Sequence, residues 1–336
     1  MSNRLTISIA MCTYNGGSFL SEQLQSISRQ VRLPDELVIC DDGSADKTIN
    51  IIETFVKKVS FSVRLYINNA NLGSTKNFEK VIGLCKGNII ALSDQDDVWN
   101  PTKLLDIEFM FLQFPKLGAI FSDAEVVNEH LGTLGYNLWQ SVGFCPTEQT
   151  DLINGKSMQI LLKHNVVTGA TMAFRAEYRK DILPIPSCWV HDAWIALIIS
   201  SFAPLGLITK PLIKYRQHPQ QQLGARRKRI DLISVLSDPK TYSSKAVNSY
   251  LKSTEKYIFV RDRIEYIHQN RGDIWSETEY EQIIQQIESK IFHIQMRANL
   301  PKNRILRLSY VFRALRLGHY YSYSNSWKSI VRDILF

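Results

Sequence analysis

The sequence predicts an α/β protein, a mostly parallel sheet with helices on both faces, followed by a helical appendage. Three observations lead there. Short apolar or β-branched runs alternate with amphipathic stretches of helical length from Leu5 to Ser93, the pattern of strands buried on both faces and joined through helices. Polar clusters fall where those runs end, on the edge where open parallel sheets bind ligands. Beyond about residue 224 the strand pattern gives way to long stretches of helical spacing.

Taken in order, Leu5–Cys12 reads as a first strand, Phe19–Arg29 as a helix, Glu36–Cys40 as a strand and Asp46–Lys58 as a helix. Val63–Asn68 is a third strand, Thr75–Cys85 a helix and Asn88–Ser93 a fourth strand. Right-handed crossovers are expected throughout. Helix Pro101–Gln113 has its proline in the first turn, where a missing N–H is harmless; strand Ala119–Ser122 follows, with Asp123 at its end. Gly132–Thr150 is loop-rich, and its Tyr136, Trp139 and Phe144 either line an acceptor groove or pack into the core. A helix at Leu152–Lys163 precedes the strand Thr168–Arg175, whose Gly169 permits close backbone approach. Trp189–Trp194 opens an apolar helix over 193–203, and Leu212–Leu223 is a strand end that turns at Pro219.

Further on, Lys245–Ile267 and Glu277–Met296 have helical apolar spacing. The segment Pro301–Phe336 places Ile305, Leu308, Phe312 and Leu315 on one face, with Arg304, Arg307, Arg313 and Arg316 around its rim and Tyr320, Tyr321, Tyr323 and Trp327 after it. That face suits either an anionic membrane surface or packing on its own domain.

With 336 residues and 45% hydrophobic composition the chain buries a large core, divided here into a catalytic domain at 1–224 and a basic helical region at 225–336. Charge marks the division: residues 1–209 carry 17 Lys and Arg against 21 Asp and Glu, residues 210–336 carry 23 against 11. Phosphate-rich partners would attract the tail. Nucleic acid is not the expected partner, because the tail's aromatics gather near one end instead of interleaving with the charges. Cys12, Cys40, Cys85, Cys145 and Cys188 include no C-x-x-C pair and fit a reducing compartment. No secretion signal is read at the N-terminus. The longest apolar stretch, Ala193–Ile208, is interrupted by Ser200, Ser201, Pro204 and Gly206, short of the roughly 18 uninterrupted residues of a membrane span. A cytoplasmic protein is expected, peripheral on the inner face of the cell membrane where the basic tail docks.

The chemistry concentrates in Ser93-Asp94-Gln95-Asp96-Asp97, where an apolar run ends in three carboxylates within four positions. Charges this close raise one another's pKa unless a cation sits among them. Mg²⁺ or Mn²⁺ suits oxygen ligands and keeps positions open for phosphate oxygens. The competing reading is an acidic turn capping the helix that Pro101 begins. Three clusters on one sheet edge, Thr13-Tyr14-Asn15-Gly16, Asp41-Asp42-Gly43-Ser44 and Asp94–Asp97, favour the metal. No G-x-G-x-x-G and no P-loop motif is present, so phosphate would be held by metal. Asp41 is expected to point into the cleft while Ser44 or Asp46 caps the next helix. Asp192, beside His191 at the start of the apolar helix, is a dipole partner or a general base at a helix mouth. Arg216 and His218 close a basic strand, and a phosphate or metal contact is expected of them.

These clusters, with Asn71-Leu72-Gly73, Gly169-Ala170, His191-Asp192 and Tyr215-Arg216-Gln217-His218, resemble those of the family 2 glycosyltransferases of GT-A fold, over roughly residues 5–220. The form Ser-Asp-Gln-Asp-Asp-Val-Trp is similar to a bacterial subgroup that includes rhamnosyltransferases building polysaccharide and O-antigen chains. The resemblance implies that Asp41 contacts the nucleobase, Asp94 the ribose and Asp96 the metal bridging the diphosphate. It implies that Thr13, Tyr14 and Asn15 line the nucleotide pocket together with Gly169 and Arg216, that Asp192 is the base, and that His218 approaches the diphosphate or metal. Asp97, His191 and Asp42 are further candidates. Gln220, Gln221 and Gln222 stand where variants of the motif have an asparagine after the histidine. One carboxylate suffices to deprotonate an acceptor hydroxyl, so a single displacement with inversion is expected from a nucleotide-sugar donor to a saccharide or lipid-linked saccharide. The subgroup likeness implies dTDP-rhamnose as that donor. The alternatives are a UDP-hexose-dependent transferase of the same fold and a sugar-1-phosphate nucleotidyltransferase. The latter needs a glycine-rich loop with a cation, which Thr13-Tyr14-Asn15-Gly16-Gly17 does not supply.

Overall fold

A computed structural model describes residues 4–221, 239–272, 274–301, 303–324 and 326–335. The chain forms two compact units, Met1–Ser157 with Val166–Arg227, and Met158–Asn165 with Lys228–Phe336. The boundary expected at 224/225 lies outside the described residues.

The first unit is built on a nine-stranded sheet. Its first half is as the alternation dictates: β1 (Ile7–Thr13), α1 (Leu20–Ser28), β2 (Glu36–Asp41), α2 (Thr48–Val56), β3 (Ser62–Ile67), α3 (Ser74–Leu84) and β4 (Ile89–Ser93). Strands β3, β2, β1 and β4 lie side by side and parallel. All of β2 and β4 is buried, whereas β3 is a half-exposed edge. A two-residue β5 (Val98–Trp99) leads to α4 (Lys103–Gln113), β6 (Ala119–Val127) and β7 (Thr133–Asn137). Short helices α5 (Leu138–Val142) and α6 (Pro146–Asp151) follow; α7 (Ser157–Lys163) comes next in the chain but from Met158 belongs to the second unit, and the first unit resumes with β8 (Met172–Arg175), α8 (Arg179–Ile182), α9 (His191–Ser200) and the long β9 (Leu205–Arg216).

Beyond β4 the sheet departs from the expected pattern. β8 pairs antiparallel with β4 and β6, while β9 runs parallel to β6 and hands its far end to β5. The strand expected to stop at Ser122 continues to Val127, so Asp123 is not a strand-end ligand. Its carboxylate is a buried brace that accepts from Trp139 N (3.0 Å) and Asn137 Nδ2 (2.9 Å). Trp139 and Phe144 pack edge-to-face on each other and against Phe121, which settles them in the core. Gly169–Thr171 is a 3₁₀ turn instead of the start of a strand, and the first turn of the helix expected from Leu152 is broken by Gly155 at φ 86°. One apolar cluster unites β1, β2, β4 and β6 with α1 and α4, including Phe111 and Trp99. Truncating a buried aromatic such as Phe111 to alanine would cost about 3–5 kcal/mol.

The second unit is helical: α10 (Pro239–Asn270), α11 (Glu277–Ala298), α12 (Arg304–Arg316), α13 (His319–Tyr323) and α14 (Ser326–Leu335). Ser276 and Glu279 form a reciprocal capping box at the start of α11. α10 and α11 pack along each other. Val311, Ala314 and Tyr320 form a small core, and Arg297 binds Asp333 with two hydrogen bonds (2.6 and 2.9 Å), both side chains buried. None of the described helices is long and apolar enough to cross a membrane.

Candidate active site

The parallel register sets Thr13 beside Asp41 and Met11 beside Ser93, so the polar ends of β1, β2 and β4 open onto one edge. Thr13 Oγ1 donates to Asp41 Oδ2 (2.7 Å). Asp41 also accepts from Ser44 Oγ (2.6 Å), Ser44 N (2.7 Å) and Gly43 N (3.1 Å). Its acceptor positions are thus filled from within, and the carboxylate is fully buried. Asp42 does the same for the next loop, accepting from Asn68 Nδ2, Leu72 N and Gly73 N at 2.8–2.9 Å. Gln95 clamps Tyr14, accepting from its N–H (2.8 Å) and donating to its carbonyl (3.1 Å). Asn15 has a left-handed backbone, φ 46°, held by Ser44 Oγ on its N–H and by Ala45 N on its side chain. A β-carbon on Gly16 would lie 2.3 Å from Gln95 Oε1, so a larger residue there would displace the amide that clamps Tyr14.

The acidic cluster does not cap a helix. The N-terminus of α4 is served by Asn100, whose Oδ1 accepts from Thr102 N (3.1 Å), which removes the turn-capping reading of Asp94, Asp96 and Asp97. Burial pushes Asp94 up to about 7, helped by Asp96 and Asp192 and opposed by Lys103. Asp97 is likewise raised well above the usual carboxylate range, first by burial and then by Asp96 and Asp94. Its Oδ1 accepts from Arg216 N (3.0 Å), while its buried Oδ2 has no partner. Asp96 Oδ2 lies 2.8 Å from His218 Nε2, and the other ring nitrogen of His218 is buried without a partner. Asp94, Asp96, Asp97 and Asp192 all raise the buried Tyr215, whose pKa is lifted first by burial itself. Acids from two segments far apart in the chain, the loop after β4 and the start of α9, therefore lie close enough to act on one side chain.

At the opposite wall Asp192 sits in the first turn of α9. Its Oδ2 accepts from Gly169 N (2.8 Å), and Oδ1 accepts from Ala193 N (2.6 Å). His191 stacks on Phe78 with centroids 3.8 Å apart, and both its ring nitrogens are buried without partners. Burial holds its pKa low, against the pull of Asp192. A β-carbon on Gly169 would approach His191 Nε2 to 2.7 Å, so this glycine lets the 3₁₀ turn close on the histidine and the carboxylate together.

Of the residues expected here, Thr13, Tyr14, Asn15, Asp94, Asp96, Asp97, Gly169, His191, Asp192 and His218 line this edge, while Asp41 and Asp42 hold its loops. Arg216 requires a correction. It is almost completely buried, and its guanidinium is bound to the Glu22 carboxylate and to the carbonyls of Glu129 and Asp96, over the Phe19 ring at 4.6 Å. Three of its donors brace the acidic loop from behind, which gives it a positioning role in this site.

Sequence reasoning also missed Lys103. Its ammonium is fully buried, donates to Ala170 O (2.6 Å) and stands 3.7 Å over the Trp99 ring. Burial lowers its pKa to about 7, against Asp97 and Asp94.

Among the described residues no group of three or more His, Cys, Asp or Glu gathers as a metal cage. Asp96 and His218 remain the pair that fits a divalent ion. Mg²⁺ in particular is held by one or two carboxylates plus substrate phosphates in preference to an all-protein cage. The partnerless Asp97 Oδ2 beside them is the kind of buried atom such a charge would compensate.

Comparison with known proteins agrees with this geometry. Residues 8–133 match the family model Glycosyl transferase family 2. An uncharacterized glycosyltransferase of Haemophilus influenzae is 25% identical over 232 residues, 66% of this chain and 68% of that protein. The dTDP-rhamnosyl transferase RfbG of Shigella flexneri is 26% identical over 236 residues, 64% and 74% of the two chains. Across the first relatives the matched stretch spans from 34% to 68% of their length. Among solved structures, residues 1–349 of S. aureus TarS superpose with a TM-score of 0.57 at 15% identity, covering 95% and 89% of the two chains. Mannosyltransferase PcManGT from Pyrobaculum calidifontis, in complex with GDP-Man and Mn²⁺, gives 0.51 at 13% identity, covering 99% and 86%. The fold is that of the GT-A glycosyltransferases. The chain is a glycosyltransferase whose residues 8–133 match the family 2 model.

Proposed function

We propose that this glycosyltransferase moves a sugar from a nucleoside diphosphate donor to a hydroxyl of a growing bacterial surface glycan, by one displacement that inverts the anomeric centre. The observation that carries the reading is the nearness of Asp192, fixed at the mouth of α9 by Gly169 N, to the acids that follow β4, close enough for its charge to act on the buried Asp94. In this reading Asp192 Oδ1 or Oδ2 takes the proton of the acceptor hydroxyl as it attacks. Thr13, Tyr14 and Asn15 line the nucleotide pocket, Asp41 and Asp42 fix its loops, and Asp94 meets the ribose. Asp96 and His218 would hold Mg²⁺ or Mn²⁺, which when bound neutralises charge on the departing diphosphate. His191 and Gly169 shape the acceptor side, and Lys103 offsets the buried acids.

The complex of PcManGT with Mn²⁺ and GDP-Man supports a divalent ion and a nucleotide-sugar donor. The similarity to the dTDP-rhamnosyl transferase RfbG supports dTDP-rhamnose as the donor. The acceptor in this reading is a lipid-linked saccharide, which would bring a cytoplasmic enzyme to the inner face of the membrane. A thermal-shift screen of dTDP-, UDP- and GDP-sugars with and without Mn²⁺ tests the donor. A ligand at a hundred times its dissociation constant stabilises by about 2.7 kcal/mol. A shift with dTDP-rhamnose alone supports rhamnose, a shift only with UDP-hexoses moves the assignment to that donor, and release of pyrophosphate from a nucleoside triphosphate would replace the transfer reading. Asp192→Asn should keep donor binding and lower turnover by roughly 10²–10⁴-fold; an unchanged rate would move the base elsewhere.

A further inference from the structure

The second unit carries an outer surface that its own packing does not explain. From Ser289 to Arg332 the chain has nine Lys and Arg and no Asp or Glu. Some of that charge is spent inside: Lys290 Nζ donates to Tyr323 O (2.8 Å), Arg297 binds Asp333, and Arg307 Nε donates to the Pro301 carbonyl. Arg332 donates to the Tyr250 hydroxyl, whereas Arg304, Arg313, Arg316 and Lys328 are exposed. Helix α12 turns Arg307, Val311 and Ala314 inward, and leaves Ile305 77%, Leu308 44% and Phe312 67% exposed. Their spacing of three and four residues puts them on one face of the helix. Arg304, Arg313 and Arg316 are exposed with them. The stripe that would ordinarily be the buried one is thus the face turned to solvent, and an arginine occupies the buried side. Helix α14 repeats the arrangement on a smaller scale, with Trp327 and Val331 exposed one turn apart and Lys328 between them.

We infer that this face of α12 lies on an anionic lipid bilayer, with Ile305, Leu308 and Phe312 in the acyl boundary and Arg304, Arg313 and Arg316 at the lipid phosphates. An apolar stripe ringed by cations, without an acid in the segment, is complementary to that surface and to few others. A second copy of the chain fits poorly, because a two-fold contact would set this basic face against itself. Trp327 and Tyr321, also exposed, suit the headgroup level. The helix lies on the bilayer and does not cross it, in keeping with its thirteen residues. The surface deepens the lipid-linked acceptor reading and supplies what that reading lacks, a means of holding the enzyme where such an acceptor resides. Binding requires neither donor nor acceptor, so its failure would leave the transfer chemistry standing.

The experiment is flotation of the full-length protein with vesicles of equal parts phosphatidylglycerol and phosphatidylcholine, and with phosphatidylcholine alone. Binding is expected to the mixed vesicles and to weaken at high salt. The pair Ile305→Glu with Phe312→Glu should lower the apparent partition coefficient by about tenfold or more, and Arg313→Gln with Arg316→Gln by about tenfold. Melting temperatures should stay put, since these side chains are exposed, and transfer to a soluble acceptor should be unchanged. No binding by the folded protein, equal binding to pure phosphatidylcholine, or undiminished binding by the glutamate pair would each overturn the proposal. So would a concentration-dependent dimer dispersed by Phe312→Glu without vesicle binding, which would give the face to a second copy.

Discussion

The two walls of the pocket are built differently. On the wall formed by the ends of β1 and β2, polar atoms are answered from within: Asp41 accepts four hydrogen bonds, Asp42 three, and Gln95 holds both the amide and the carbonyl of Tyr14. On the wall formed by the β4–β5 loop, the end of β9 and the start of α9, buried atoms are left over: Asp97 Oδ2, both ring nitrogens of His191 and Nδ1 of His218. Native proteins pair nearly all such atoms, because an unpaired one costs about 1–3 kcal/mol. The saturated wall is a scaffold whose shape is set before any ligand arrives. On the other wall these buried atoms have no partner within the protein, so mutations on the two walls should fail in different ways.

The largest contrast is expected at Asp96. Asp96→Ala should abolish transfer and Mn²⁺-dependent donor binding while the melting temperature barely moves; near wild-type turnover with a chelator present would refute the metal role. Gly169→Ala comes next, since its new methyl would press on His191 and tilt Asp192. A displacement of about an ångström can cost about 10²-fold, so kcat should drop by that order with donor KM unchanged. Asp42→Asn should reverse the balance. It removes a charge that three donors share, costing about 1–3 kcal/mol of stability, with kcat little altered once the protein is folded. If it depressed kcat as strongly as Asp192→Asn, the division into scaffold and working wall would be wrong.

The smallest effect is a pH dependence of the metal-free protein. Asp94 ionises near 3.8 when unfolded and is held at about 7 when folded. The stability this group contributes is fully present below about 4, where both states are protonated. It is lost as pH rises toward 7, because the unfolded chain sheds its proton first. Wild type should therefore lose a few degrees of melting temperature between pH 4 and pH 7 relative to Asp94→Asn. Identical slopes for the two proteins would mean that Asp94 is not buried among like charges.

The strands up to Ser93 were legible because both faces of the sheet are covered, so their apolar runs are uninterrupted. The residues at their ends were legible for the same reason, since a polar cluster interrupting an apolar pattern marks the sheet edge. What was not legible depends on partners far away in sequence. Lys103 sits in an amphipathic helix, where lysine normally reads as solvated; that its ammonium points inward to the Ala170 carbonyl follows from how α4 lies on β8 and β9. Arg216 reads as a ligand contact at a strand end until Glu22 and the Glu129 carbonyl are seen to claim it. Asp123 read as a strand terminus because Ala124-Glu125-Val126-Val127 does not alternate, yet pairing with β9 across two register shifts keeps that stretch in the sheet.

One detail of the chain's division bears on how the molecule can be cut. The eight residues Met158–Asn165 belong with the helical unit although they lie within the catalytic sequence, and Met158, Ile160, Leu161 and Leu162 are all buried. Deleting everything after residue 224 would leave this octapeptide behind and strip it of its companions, baring a greasy stretch that invites clumping. The tail is therefore no detachable cassette, and exchanging it between relatives would demand exchanging a piece of the front half with it.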